Sequence, residues 1–271
     1  MTRAPIIFGI VNITSDSFSD GGRYLAPEAA IAHARQLVAQ GADVIDLGPA
    51  SSNPDAAPIK AELEIARIAP VLDALLGDGI KVSLDSYQPE TQTSALSRGV
   101  AFLNDIRGFP DPAFYPRLAA VETPLIVMHS IQDGQADRRE APACDIIDYI
   151  TRFFERRIEA LTASGVAMER IILDPGMGFF LGSSPRTSFE VLARFGELKA
   201  RFDLPILLSV SRKSFLRKIT GRAPDETGPA TLAAELKAIE AGADFIRTHE
   251  PAALRDGMAV LAALKDLARI R

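Results

Sequence analysis

The feature that most constrains this chain is an alternation that runs from one end to the other. Short apolar runs rich in β-branched residues fall at Ile6–Val11, Val44–Leu47, Lys81–Leu84, Ala101–Asn104, Pro124–Met128, Ile171–Leu173, Ile206–Val210 and Asp244–Arg247. Runs of this kind suit strands buried on both faces of a parallel sheet. Amphipathic segments separate them, near Pro27–Gln40, Glu62–Leu76, Pro89–Arg98, Ala113–Ala120, Asp145–Ser164, Ser188–Ala200, Ala230–Ala241 and Pro251–Ala268. Gly41, Gly99, Gly165 and Gly242 follow four of these segments, where helices commonly end. Eight strands alternating with eight helices predict an α/β fold of the TIM (β/α)8-barrel type, with an open doubly wound sheet as the alternative. No linker, low-complexity tract or repeat longer than the strand–helix unit divides the chain. Residues 1–271 therefore read as one domain, close to the roughly 250 residues of such a barrel.

Charge and composition remove several classes of function. The formal net charge is −5, which disfavours a broad basic face for nucleic acid. The single cysteine, Cys144, leaves no intrachain disulfide to form. The apolar run behind Met1-Thr-Arg-Ala-Pro5 is too short for a secretory signal core, and no stretch reaches the ~18 apolar residues of a membrane span. The expectation is a cytoplasmic protein with no membrane partner.

The polar residues are placed unevenly. Each apolar run is followed at its C-terminal end by side chains that carry chemistry. These are Asn12-Ile-Thr-Ser-Asp-Ser-Phe-Ser-Asp-Gly-Gly22, Gly48-Pro-Ala-Ser-Ser-Asn-Pro-Asp55, Asp85-Ser86, Asn104-Asp105, His129-Ser130, Asp174-Pro-Gly-Met-Gly178, Ser211-Arg-Lys-Ser214 and Arg247-Thr-His249. The opposite ends are introduced by plain sequence such as Gln40-Gly-Ala. Barrel enzymes place their active sites on the C-terminal face of the strands. Singly, Asn12, Asp85 or Asp174 reads equally well as a helix cap or turn residue; together at successive strand ends they read as a site. Arg212 and Lys213 precede a helix start, where cations oppose the dipole unless an anion intervenes. With Arg247 and His249 on the eighth strand they suggest a phosphate or pyrophosphate pocket. Asp85, Asn104 and Asp174 offer acceptors and a carboxamide that suit a heterocycle with ring N–H, amino and carbonyl groups, and Lys213 adds a donor. No Cys/His spacing suggests zinc; carboxamide, hydroxyl and phosphate oxygens suit a hard ion such as Mg²⁺.

The motifs Asn12-Ile-Thr-Ser-Asp-Ser-Phe-Ser-Asp-Gly-Gly, Ser83-Leu-Asp-Ser, Asn104-Asp-Ile-Arg, Asp174-Pro-Gly-Met-Gly-Phe, Ser211-Arg-Lys-Ser and Ile246-Arg-Thr-His resemble, in order and spacing, those of the dihydropteroate synthases. The resemblance spans Ile6 to His249. It implies a TIM barrel that joins 6-hydroxymethyl-7,8-dihydropterin pyrophosphate to p-aminobenzoate, releasing pyrophosphate. Carried over by motif, Asp85, Asn104, Asp174 and Lys213 would hold the pterin, and Arg247 would stack on it and face the pyrophosphate. Lys213, Arg247, Asp85 and Asp174 would thus carry the catalysis. Asn12 and His249 would bind pyrophosphate, Asn12 through Mg²⁺. Phe18 and Asp20 would lie on the first loop, and Ser52, Pro54, Phe179, Phe180 and Ser211 would line the aminobenzoate site.

Two departures from the family pattern stand out. Thr-Arg-Pro in the second loop is replaced by Ser52-Asn53-Pro54, which leaves the anion without its usual arginine. Gly-Phe-Gly-Lys after the sixth strand becomes Gly178-Phe-Phe-Leu-Gly182, in a segment about two residues longer. Both departures are similar to the plasmid-borne, sulfonamide-insensitive (Sul-type) enzymes. An added aromatic wall, Phe180, would admit a planar carboxylate and clash with a tetrahedral sulfonyl; core filling is the plainer account of the same ring. Competing expectations are a pterin-binding barrel that passes a methyl group from a folate to a corrinoid protein, which has little use for the cations, a Schiff-base aldolase using Lys213, and a pure binding module. An apolar stripe on the last helix, Leu254 to Leu267, would support a homodimer or pack on the barrel.

Overall fold

The structure, a computed structural model, describes residues 4–13, 27–49, 59–132 and 137–268. Its strands are β1 (Ile6–Asn12), β2 (Val44–Gly48), β3 (Val82–Asp85), β4 (Phe102–Asp105), β5 (Leu125–Met128), β6 (Ile171–Asp174), β7 (Leu207–Leu208) and β8 (Phe245–Thr248). They pair in parallel in the order β6-β5-β4-β3-β2-β1-β8-β7. A parallel bridge from Leu173 to Ile206, beside a Leu173 N–H bond to the Pro205 carbonyl, joins the two outer strands and closes the barrel. The open-sheet alternative is thereby excluded.

The helices are α1 (Pro27–Ala39), α2 (Ala61–Gly77), α3 (Pro89–Arg98), α4 (Tyr115–Ala119), α5 (Ile146–Ala163), α6 (Pro185–Ala193), α7 (Phe195–Arg201), α8 (Ser214–Thr220), α9 (Gly228–Glu240) and α10 (Pro251–Ala268). Local chemistry sets their ends. The Asp145 carboxylate caps α5 by accepting from Ile147 N and Asp148 N. Pro89 opens α3, and Gly99 closes it in a left-handed conformation that Gly41, Gly165 and Gly242 share. Two expectations need correcting. The predicted helix at 188–200 is two helices that break at Arg194, whose guanidinium binds Glu190, Glu197 and Asp145. The predicted helix at 113–120 begins as a 3-10 turn. The helix start expected behind Lys213 is present as the short helix α8.

Two cores divide the barrel. The larger lies between the strands and the helices, with Ile7, Ile45, Leu84, Leu103, Leu173 and Leu208 meeting Leu37, Leu72, Phe154 and Phe215. The smaller fills the interior. Phe8, Val44, Ile126, Ile172, Leu207 and Phe245 cluster there, with Phe8, Phe102 and Phe245 in edge-on ring contacts. Strand side chains alternate between faces, so the residue two positions further along each strand points the same way. Two positions on, Val44 gives way to Asp46, Phe102 to Asn104, Ile172 to Asp174, Leu207 to Ser209 and Phe245 to Arg247. An apolar plug seals the lower barrel and a polar layer sits directly above it.

Leu72 is fully buried in the outer core. Leu72→Ala should lower the unfolding free energy by about 2–5 kcal/mol in urea titrations; a loss below 0.5 kcal/mol would contradict this packing.

Candidate active site

The centre of the polar layer is Arg247 on β8. Its Nε donates to Asp46 Oδ2 on β2, past the intervening β1, and its Nη2 donates to Asp85 Oδ2 on β3 at 2.6 Å. Asp46 is completely buried. Burial works against the Arg247 charge, but the Asp46 and Asp85 carboxylates more than offset it and raise its pKa. Asp46 was missed in the sequence. The available signal was an acid inside the apolar run Val44-Ile-Asp-Leu, at a position that faces inward.

The other predicted ring-binding residues converge on this pair. Asn104 is paired in register with Asp85 on the neighbouring strand and is buried, and its Oδ1 has no partner among the described residues. Buried Asp174 accepts the Gly176 N–H at 2.8 Å on one oxygen. Burial pushes the Asp174 carboxyl up to about 6, against the pull of Lys213 and Arg247. Burial likewise pushes Asp85 up to about 7, opposed chiefly by Arg247. Lys213 is pulled down to about 8 by burial and then by Arg247, while Asp174 and Asp85 act the other way. The hydroxyls of Ser83 and Ser209 and Oδ1 of Asp46 are also buried without a partner. Buried polar atoms normally have partners, so this concentration marks a cavity wall shaped for a polar guest.

The anion side is built around His249. Ser211 Oγ accepts the His249 backbone N–H at 3.2 Å and lies 2.9 Å from its Nδ1. The serine proton is then free to go to Nδ1, which leaves the ring hydrogen on Nε2 as a donor. Burial, and then Arg212, Arg247 and Lys213, depress the His249 pKa to about 3, so the ring is neutral at pH 7. Arg212 has φ 59, a left-handed conformation that is uncommon for a residue with a side chain. It is held by its N–H on Thr231 Oγ1 at 3.2 Å and by a 3.2 Å ion pair with Glu250. Buried Glu235 on α9 bonds Thr248, and burial raises its pKa to about 8.

The aromatic residues after β6 occupy different depths. Phe180 is 3% exposed and packs with Ile106 and Met128, with Lys213 Nζ 5.1 Å from its ring centre. Phe179 is half-buried and lies under the Arg138 guanidinium, 5.9 Å away. Asn12 ends β1 with an exposed side chain. Phe18, Asp20, Ser52 and Pro54 lie outside the described residues.

Asp174 binds its proton more tightly when folded than in an unfolded chain, where an aspartate titrates near 3.8. Its contribution to stability is full below that range and is lost as pH rises through about 6. In substrate-free protein, Asp174→Asn should therefore gain stability relative to the parent between pH 4 and 7, measured by urea unfolding. A difference that stays constant over that interval would rule out the assignment.

Comparison with known proteins agrees with this geometry. The model of the family described as pterin binding enzyme matches residues 8–249. A dihydropteroate synthase type-2 from Escherichia coli is 74% identical over 271 residues, all of both chains. The fold superposes on Xanthomonas albilineans dihydropteroate synthase with 4-aminobenzoic acid at a TM-score of 0.88, with 33% identity over 96% of this chain and 93% of that one. The same enzyme in complex with 7,8-dihydropteroate gives a TM-score of 0.85 with 31% identity, covering 98% and 95%. A full-length likeness of this depth, joined to a polar barrel mouth flanked by cations, makes the chain a member of the dihydropteroate synthase family, a family of transferases.

Proposed function

We propose that the chain condenses 6-hydroxymethyl-7,8-dihydropterin pyrophosphate with p-aminobenzoate to give 7,8-dihydropteroate and pyrophosphate, and that it does so with little inhibition by sulfonamides. The observation that carries this reading is the Arg247 guanidinium shared by Asp46 and Asp85, with Lys213 and Asp174 close enough to shift one another's proton affinities.

On this reading the pterin lies above the apolar plug, and its N–H and amino groups meet Asp174, Asn104 and Asp85. Lys213 donates to the ring carbonyl or a ring nitrogen. Arg247, locked by two carboxylates, stacks on the ring and faces the pyrophosphate. His249 Nε2–H donates to a phosphate oxygen, with Ser211 fixing its tautomer. The C–O bond between the pterin methylene and the pyrophosphate breaks, and its electron pair leaves on the bridging oxygen. The arylamine lone pair forms the new C–N bond, and the amine then loses a proton to solvent. Arg247 and His249 meet the charge that builds on the leaving group and need no reorganisation to do so.

Among the described residues no three His, Cys, Asp or Glu side chains come together as a metal cage. The exposed Asn12 carboxamide is a hard oxygen donor, which suits a Mg²⁺ ion held mainly by pyrophosphate and water. When bound, such an ion neutralises charge on the leaving group. Phe179 and Phe180 form the wall of the acceptor site on this reading, with Phe18, Asp20, Ser52 and Pro54 supplied by the first two loops. The exposed Val260, Leu264 and Leu267 repeat at helical spacing along α10, which supports a second copy of the chain as partner. No helix among the described residues is long and apolar enough to cross a membrane.

The purified protein, given both substrates and Mg²⁺ between pH 6 and 9, should yield dihydropteroate, and Arg247→Ala should cut kcat/KM by about 100-fold or more. No product at any of these pH values would end the proposal. Leu264→Glu should convert a dimer to a monomer in light-scattering chromatography; an unchanged mass would remove α10 as the interface.

A further inference from the structure

The turn that carries Phe179 and Phe180 does not hold itself in place. Gly178–Leu181 is a single 3-10 turn, closed internally by Gly182 N–H on the Phe179 carbonyl at 3.2 Å. Its support comes from residues 129–132 and 139–141, described parts of the connection between β5 and α5. His129 N–H binds the Asp174 carbonyl at 2.7 Å, and His129 Nδ1 stands 3.0 Å from the Pro175 carbonyl. Ile131 N–H binds the Phe180 carbonyl at 3.1 Å, and Gln132 Nε2 binds the Phe179 carbonyl at 2.9 Å. Further on, Ser183 N–H binds the Arg139 carbonyl at 2.7 Å. Gly182 adopts φ 119 and ψ 173, and a Cβ there would lie 2.8 Å from Ala141 N, so that connection blocks any other residue.

Two side chains secure the turn by hydrogen bonds that substitution can remove. Ser188 Oγ accepts the Gly178 N–H at 3.0 Å, on the side where Lys213 approaches. Gln132 grips the Phe179–Phe180 peptide, the one shared by the two rings. Gln132 is 6% exposed, and among the described residues its Oε1 has no partner and its Nε2 otherwise reaches only the Asp137 carbonyl at 3.5 Å. An unpaired buried amide oxygen costs stability, and an apolar side chain of the same length would avoid that cost. What the amide provides is a fixed orientation of the Phe179–Phe180 peptide.

We infer that Gln132 is a specificity-determining positioning residue: through the Phe179 carbonyl it sets the two aromatic rings at the spacing that separates a planar carboxylate acceptor from a bulkier sulfonyl one. The inference rests on the proposed role of that aromatic pair as the acceptor wall. Without the donor, the Phe179 carbonyl keeps only the longer 3.2 Å bond from the Gly182 N–H among the described residues, and the Phe179–Phe180 peptide loses the side-chain tie that sets its tilt, which widens the slot between the rings. The pterin side, anchored by Arg247 and by Ser188 at Gly178, is not touched.

The test compares Gln132→Met, which keeps length and loses the donor, with Gln132→Glu, which replaces the donor by an acceptor. KM for the pterin pyrophosphate, KM for p-aminobenzoate and Ki for sulfamethoxazole are measured for each, with Ser188→Ala, Phe179→Ala and Phe180→Ala beside them. The ratio of sulfamethoxazole Ki to p-aminobenzoate KM should fall by about tenfold in both Gln132 variants, while KM for the pterin pyrophosphate moves by less than about twofold. Ser188→Ala should leave the ratio unchanged. A purely structural role would weaken both acceptor-site ligands together and leave the ratio where it was. If the ratio holds in the Gln132 variants but falls in either phenylalanine variant, the role of Gln132 is refuted. If it holds in all of them, the aromatic pair is not the wall, and the proposed acceptor site falls first.

Discussion

Everything at the mouth of this barrel depends on keeping one guanidinium charged where little water reaches it. Moving an ion out of water is costly, and a lone Arg247 in the barrel would be destabilising. Asp46 and Asp85, on the adjacent strands β2 and β3, resolve this by giving it two charge-assisted bonds. The same bonds fix the plane of the guanidinium and hold Asp85 beside Asn104. The arrangement also leaves a deficit, since Lys213 is one cation against the remaining Asp174 carboxyl and several unpaired dipoles. A ring edge rich in N–H groups supplies what is missing, so the free site is tuned by the absence of its guest.

A second set of polar residues supports the first from outside. Strand-end residues that face the helices find partners there: Ser86 donates to Glu64 at 2.6 Å, Asp105 accepts from Gln92 at 3.0 Å, and Thr248 bonds Glu235. Inward and outward neighbours therefore serve different ends. Asn104 faces the guest and Asp105 secures its strand; Arg247 faces the guest and Thr248 secures its own. One residue of slip along any strand would exchange the two sets, so register and chemistry are the same constraint.

Much of this was legible before any coordinates. Apolar runs gave the strands, and the polar residues at their ends gave Asp85, Asn104, Asp174, Lys213, Arg247 and His249, because a barrel collects its strand ends on one face. Asp46 escaped because a lone acid within an apolar run reads as an interruption rather than a destination. The break at Arg194 escaped because the apolar period continues through it, and only the capture of three carboxylates by one side chain reveals the bend. The start of the short helix α8 was legible behind Lys213, but its extent was not, because it carries too few apolar positions to declare a period. A Phe-Phe pair does not say which ring goes down, and the depth of Phe180 is set by Ile106 and Met128, which are remote in sequence. The clamp made by Gln132 is invisible for the same reason, since it joins positions 47 residues apart.

The fit of Gly182 against Ala141 has a consequence for how such a chain can change. Two stretches encoded far apart are moulded to one another, so neither can be exchanged alone without collision or a gap. A lengthened turn grafted onto a scaffold with a different β5–α5 connection would arrive without its mould. A change at this spot is therefore coupled: a different residue at 182 requires the backbone at Ala141 to move with it.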